Sequence, residues 1–143
     1  MVAGVTSFLF MRNSLNKKTF EFQYEKNKTI VKNIEDDFKR NDINDTDYLK
    51  NYKENYFTDI NIYDLDGNLI NTTQPKLFEE HKSRIINRKA YEAIKLRNRL
   101  FYSCEENIDG TNYNSSYFPL KDNNGNTYAI INIPYFDNTM TNK

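Results

Sequence analysis

Between Ser14 and Arg40 the chain has no Pro and no Gly, and its apolar residues recur at Phe20, Tyr24, Val31, Ile34 and Phe38. That four-seven-three-four spacing lines one side of a helix, while Lys28, Lys32, Glu35 and Lys39 fall largely on the other. A long amphipathic helix with a narrow apolar seam is therefore expected. The seam can pack on the domain's own sheet, on a partner helix in a dimer, or on each along different stretches. "NDINDT" (Asn41 to Thr46) breaks the pattern, and Asp45 or Thr46 is placed to cap a short helix through "DYLKNYKENYF".

The period then changes from helical to alternating. "DINIYDLDGNLINTT" predicts strands over about Asp59 to Tyr63 and Asn68 to Thr72, joined at Asp66-Gly67. Both residues tolerate the positive φ that a tight primed turn demands. "SYFPLKDNNGNTYAIINIPYF" repeats the device with Asn124-Gly125 at the bend. A connector opened by Pro75 separates the two hairpins, with a short helix expected from Asn87 to Leu96. Three strands follow, in "RLFYSCEEN", "NSSYFPLK" and "NTYAIINIPYF". The order suits an α+β domain: a five-stranded antiparallel sheet with a long N-terminal helix and short capping helices. At 143 residues it is one domain's worth of chain.

Charge changes this picture little. Lys plus Arg and Asp plus Glu number 20 each and are interleaved, so no clustered positive surface calls for nucleic acid. The single cysteine, Cys104, rules out an internal disulfide and any multi-cysteine metal site, and reads as a small core residue. His81, the only histidine, lies in a polar connector without the partner set of a triad or zinc centre. "DLDGN" does not fit a calcium loop: counted from Asp64, Gly67 falls fourth where the sixth is required, and position twelve is Pro75. Four glycines leave little room for a phosphate-cradling loop, and the paired acids read as solvated faces. Neither an enzyme nor a cofactor is expected in this chain.

The N-terminus adds a membrane. "MVAGVTSFLFM" carries no charge before Arg12, is too short to span a bilayer, and lacks the preceding basic residues of a signal peptide. It reads as the end of a membrane-crossing helix running into the long helix, or as an apolar helix end buried in the fold. The first is favoured: residues 1–11 as the end of a transmembrane helix, 12–138 as one domain, and 139–143 as the start of a connector to a second membrane helix.

Strand alternation also places a candidate pocket. In the last strand Ile131 and Ile133 share one face, and Ile130 and Asn132 the other. Asn132 amid apolar residues should face something polar, since a buried amide without partners is costly. With the long helix on the other face, the connector "KSRIINRKAYEAI" is the natural lid, bringing Arg84 and Tyr91. Tyr117 and Tyr102 in neighbouring strands offer further hydroxyls. The expected ligand is a small anionic or zwitterionic molecule, or a saccharide fragment, held among Arg84, Tyr91, Tyr102, Tyr117 and Asn132.

The order of these elements resembles the extracytoplasmic PAS-like (Cache or PDC type) sensor domains of bacterial membrane-bound sensor histidine kinases. The resemblance covers about Arg12 to Asn138 and is carried by a "YD-x-x-G" turn (Tyr63, Asp64, Gly67) and a Pro–aromatic connector (Pro75, Phe78). An "AY" helix (Ala90, Tyr91), a strand with Tyr117, Pro119 and Leu120, and an "N-x-x-G"-type turn at Asn124 and Gly125 continue it. The final strand ends "PYF" at Pro134, Tyr135 and Phe136. One spacing is tighter than the family pattern, with Phe118 standing between Tyr117 and Pro119. The resemblance implies a PAS-like fold and a periplasmic signal-sensing role in two-component transduction, with a small extracellular ligand, membrane attachment through flanking helices, and a weak homodimer along the long helix. It implies no particular ligand, and the aromatic–Arg–Asp set of amino-acid-binding Cache domains does not map onto these residues. Two other readings fit the same sequence: a membrane-anchored structural or adhesive module, and the sensor domain of a chemoreceptor or cyclic-nucleotide synthase.

Overall fold

A computed structural model describes residues 14–40, 42–80 and 84–135. The expectations for residues 1–11 and 139–143, for His81 and for Phe136 lie outside the described residues. Helix α1 spans Ser14–Phe38 and α2 spans Thr46–Tyr56. The strands are β1 (Asn61–Tyr63), β2 (Leu69–Thr72), β3 (Tyr102–Ile108), β4 (Thr111–Lys121) and β5 (Thr127–Tyr135). They form one sheet in the order β2-β1-β5-β4-β3, with every neighbouring pair antiparallel. This is the α+β, PAS-like arrangement expected. The last strand slides between the first and the fourth, so the sheet closes only when β5 meets β1.

Alternation sorts the sheet's residues into two apolar clusters. One face carries Ile60, Ile62, Phe118, Leu120, Ile131 and Ile133, covered by Ile30, Val31 and Ile34 of α1 and by Leu49 and Tyr52 of α2. Burying each large aliphatic there contributes about 1.5–3 kcal/mol. Tyr24 extends the contact, edge-on to Phe101 at 4.7 Å and stacked on Phe118 at 6.3 Å. From Tyr24 onward the α1 seam thus packs on its own domain, with Tyr24, Val31, Ile34 and Phe38 all joined to this cluster. Phe22, by contrast, is exposed. At the far end of β4 the register shifts between Leu120 and Lys121, and Glu35 of α1 accepts the Lys121 N–H at 2.7 Å.

Helix α2 begins where the sequence placed its cap. The Asp45 carboxylate accepts the N–H groups of Asp47 and Tyr48, two of the four donors that a helix start leaves unpaired. Asn71 of β2 donates to the carbonyls of Ile43 and Asp45, fixing the inter-helix turn to the sheet.

The hairpin turns depart from expectation. Asp66 does not take positive φ; only Gly67 does, at +86°. Asp64 N–H donates to Asn68 O at 2.9 Å and Gly67 N–H to Asp64 O at 3.0 Å, closing a three-residue loop that ends on a left-handed glycine. The Asp64 carboxylate accepts the N–H groups of Asp66 and Asn68 and holds the loop from within. The β4–β5 turn is built the same way, with Asp122 in the place of Asp64 and Gly125 in that of Gly67. A leading Asp that can accept two backbone donors selects the longer loop over the two-residue primed turn. The two-residue turn is found instead at Asp109-Gly110, where both φ are positive and Ile108 pairs with Thr111.

The connector covers the second face. It opens with a wide single helical turn, π1 (Lys76–Glu80), and closes with α3 (Arg88–Tyr91) running into a second such turn, π2 (Glu92–Leu96). Asn87 caps α3 by accepting the Ala90 N–H at 3.0 Å. Phe78, Ile86, Ala90 and Ile94 press onto Tyr63, Leu69, Tyr113, Tyr117 and Ile130. Leu69 N–H donates to Arg84 O and Ile86 N–H to Gly67 O, so the connector also pairs with the outer edge of β2. That edge would otherwise present unpaired backbone groups.

Candidate functional site

Cross-strand pairing brings Asn61, Asn132, Tyr117 and Tyr102 opposite one another in a single row on the connector's face. The polar atoms of the row form a directional chain. The backbone N–H of Gln74, at the connector's start, donates to Thr72 Oγ1, and the Thr72 hydroxyl donates to Asn61 Oδ1. Asn61 Nδ2 donates to Asn132 Oδ1 at 3.0 Å, and Asn132 Nδ2 donates to Ser115 Oγ and to the Ser116 carbonyl. Asn61, Asn132 and Ser115 are each at most 2% exposed, so water does not compete for these bonds. Donors that all point the same way polarise one another, which favours keeping the chain intact.

Beside this chain the Tyr117 hydroxyl donates to the buried carboxylate of Glu106 in a short bond. Glu106 pairs across the strands with Tyr113, and its charge is also felt by Tyr63. Burial, then Glu106, pushes the Tyr117, Tyr113 and Tyr63 phenols upward, well above the ordinary tyrosine range for Tyr117. Burial is likewise the main cause at Tyr102. These phenols remain neutral in the folded state while an unfolded chain ionises near pH 10. Stability from them is fully present below that pH and is lost as pH rises beyond it. The melting temperature should therefore fall steeply above about pH 10, with much of the tyrosinate absorbance appearing on unfolding. A gradual rise of that absorbance through pH 10–11 at constant melting temperature would show these phenols to be solvated.

Of the five residues expected at the site, Tyr102, Tyr117 and Asn132 share this row. Tyr102 and Tyr117 have ring centroids 6.4 Å apart, and Tyr102 is half-buried. Tyr91 stands at the hairpin tip: its hydroxyl donates to Leu65 O at 2.8 Å and its ring lies against Gly67. Arg84 is exposed, its Nη2 donating to Leu69 O at 3.4 Å over the β2 edge. Tyr91 and Arg84 thus bind the lid to the sheet's first hairpin. Asn61, Thr72, Ser115 and Glu106 were not anticipated. The signal for Asn61 was present in "DINIYD", where it alternates with Ile60 and Ile62 as Asn132 does with Ile131 and Ile133. Among the described residues no group of His, Cys, Asp and Glu is arranged to hold a metal ion, and no helix is long and apolar enough to cross a membrane.

Neither a family model nor a curated protein matches the chain. Solved structures do. A PAS domain from Colwellia psychrerythraea is 18% identical, covering 64% of this chain and 98% of that one at a TM-score of 0.41. VqmA bound to DPO is 15% identical, covering 66% of this chain and 58% of that one at 0.39. The PAS domain of Bordetella pertussis BvgS is 14% identical, with coverages of 64% and 84% and a TM-score of 0.37. The likeness is one of fold. The architecture itself is read from the strand pairings, and the site from its own hydrogen bonds.

Proposed function

We propose that this chain is the periplasmic signal-sensing domain of a membrane-bound sensor histidine kinase. In this reading a small extracellular ligand acts on the connector-covered face, among Arg84, Tyr91, Tyr102, Tyr117 and Asn132. The observation that carries it is the placement of neighbours in β4. Tyr117 packs under the connector and Phe118 packs under α1, so one strand touches both layers at consecutive residues. The hydrogen-bonded row begins on the connector at Gln74 and ends on that same strand at Ser115. A ligand that binds more tightly to one connector position than to another shifts the population, and the strand passes the shift to α1. A coupling of about 1–3 kcal/mol is enough for a switch of this kind.

The same reading gives the flanking segments to the inner membrane and the output to a kinase elsewhere in the protein. It assigns α1 a weak homodimer contact at the exposed Phe22, because the later seam is occupied by the sheet. The test is a thermal-shift screen against metabolites, repeated on Arg84→Ala and Tyr117→Phe, followed by autophosphorylation of the full-length protein in vesicles. A true ligand at about 100 times its Kd stabilises the domain by about 2.7 kcal/mol, loses affinity for both variants, and changes the phosphorylation rate. Ligands that bind the variants as tightly as the parent would sink the site. A full-length protein without kinase activity would sink the histidine-kinase output.

A further inference from the structure

Phe57 ends α2 in a conformation that its residue type disfavours. Its φ is +54°, its N–H donates to Lys53 O at 2.7 Å, and its side chain is 89% exposed. The other non-glycine residues with positive φ among the described residues are Asn98 and Asp109, types that tolerate the left-handed region. A phenylalanine does not, and helix ends of this kind are usually given to glycine or asparagine. Burial could offset the strain, but the ring stands almost wholly in solvent. A strained residue that packs on nothing in its own domain points to a role outside it. Tyr56 beside it is 54% exposed, with its ring 4.5 Å from that of Tyr52. Two adjacent aromatics thus project from the link between α2 and β1.

Strand register places this pair at one end of the sheet. β1 runs antiparallel to β5, with Asn61 opposite Asn132 and Tyr63 opposite Ile130. The chain before Asn61, and Phe57 with it, therefore lies towards the end of β5 at Tyr135. Helix α1 starts at that same end. Tyr24 stacks on Phe118, which pairs with Ile131, while Glu35 accepts the N–H of Lys121, which pairs with Thr127. From Tyr24 to Glu35 the helix advances towards the start of β5, so its first turns point towards the end of β5. Residues 1–11, which have no charged side chain, join the domain through those turns.

The surroundings favour a lipid interface over a charged partner. Lys53 pairs with Asp59 at 2.6 Å, and Lys50 and Glu54 stand one helical turn apart with opposite charges. No excess charge is left to seat the pair on an acidic or basic surface. A bilayer interface takes neutral aromatics: the phenyl ring enters the acyl boundary, and the tyrosine hydroxyl stays among headgroups and water.

We propose that Tyr56 and Phe57 anchor this end of the domain in the bilayer interface, beside the segments that flank it. The inference rests on the membrane attachment of the sensor reading, and on neither its ligand nor its kinase output. The chain has no tryptophan, so Phe57→Trp supplies a single emitting probe. The whole chain is reconstituted into phosphatidylcholine vesicles, with and without a lipid carrying a nitroxide just below its headgroup, and floated. The variant is expected to float, to emit at shorter wavelength than in buffer, and to be quenched by the nitroxide. Leu100→Trp is the control, because Leu100 is 65% exposed but precedes β3, towards the other end of the sheet. Its emission should stay as in buffer. A chain that floats with both probes equally quenched, or equally unquenched, overturns the anchor and leaves the membrane attachment standing. A chain that does not float overturns both. In vesicle-free protein Phe57→Asn, which relieves the left-handed strain, should raise the melting temperature by about 2–4 °C. A lower melting temperature would mean that the ring packs on its own domain, and would also overturn the anchor.

Discussion

Replacing Gly67 with alanine should destabilise the domain by about 3 kcal/mol, whereas the same change at Gly125 should cost about 1 kcal/mol. The two glycines occupy the same position in turns of the same construction, with φ of +86° and +81°. Each therefore incurs the backbone penalty of an L-residue held in the left-handed region, about 1–2 kcal/mol. At Gly125 nothing lies within 4 Å of an added Cβ, so the penalty ends there. At Gly67 the new Cβ would stand 2.9 Å from Ile86 Cγ2 and 3.5 Å from the Tyr91 ring. Ile86 is 6% exposed and sits in the cluster under the connector, so it cannot swing away freely. Overpacking of this kind adds about 1–3 kcal/mol. The difference between the variants, read from urea midpoints at unchanged m-value, measures how firmly the lid is pressed onto the hairpin. Equal losses would mean that the connector yields at this point and is held less tightly than the structure shows.

Asn132→Ala should cost about 3–4 kcal/mol, the largest loss from any single polar residue of the sheet. The substitution takes the amide out of the middle of the chain and leaves the Asn61 amide and the Ser115 hydroxyl without their partner in a dry interior. Each such loss costs about 1–3 kcal/mol, and the vacated volume adds a cavity term. Adding Asn61→Ala should then cost much less than it does alone, with a coupling of about 1 kcal/mol or more, because the two side chains serve one another. Denaturant unfolding of the two single variants and the double variant closes that cycle. A loss below about 1 kcal/mol for Asn132→Ala would mean that water enters the row and replaces the amide. The face under the connector would then be open to solvent even without a ligand.

Three of the five expected site residues could be read in one row because alternation is a local rule. Tyr102, Tyr117 and Asn132 each take their face from their own strand, and β-pairing only has to bring the strands together. Asn61 was equally legible by that rule. Glu106 was not, because a charged residue in an alternating strand reads as solvent-facing until the connector is known to lie over it. Arg84 and Tyr91 belong to the connector, but where along the sheet their side chains land depends on how that segment folds. The π1 turn and the pairing of Asn68 with Ile85 decide that, and neither leaves a periodic trace.

The sequence by itself determined what the two long helices and the strands are and which side of each is apolar. A 3.6-residue period without Pro or Gly makes α1, Asp45 starts α2, alternation makes the strands, and Asp-x-x-Gly marks two of the bends. All of these are set within a few residues by sterics, caps and the pleat. Only the tertiary structure decided the strand order, the turn class and the partners of the buried polar groups. Inserting β5 between β1 and β4 pairs Asn132 with Asn61, 71 residues away. Such a contact forms because burying Ile62 against Ile131 and α1 offsets the entropy of closing so long a loop. No local pattern encodes that balance, since it belongs to the whole core at once.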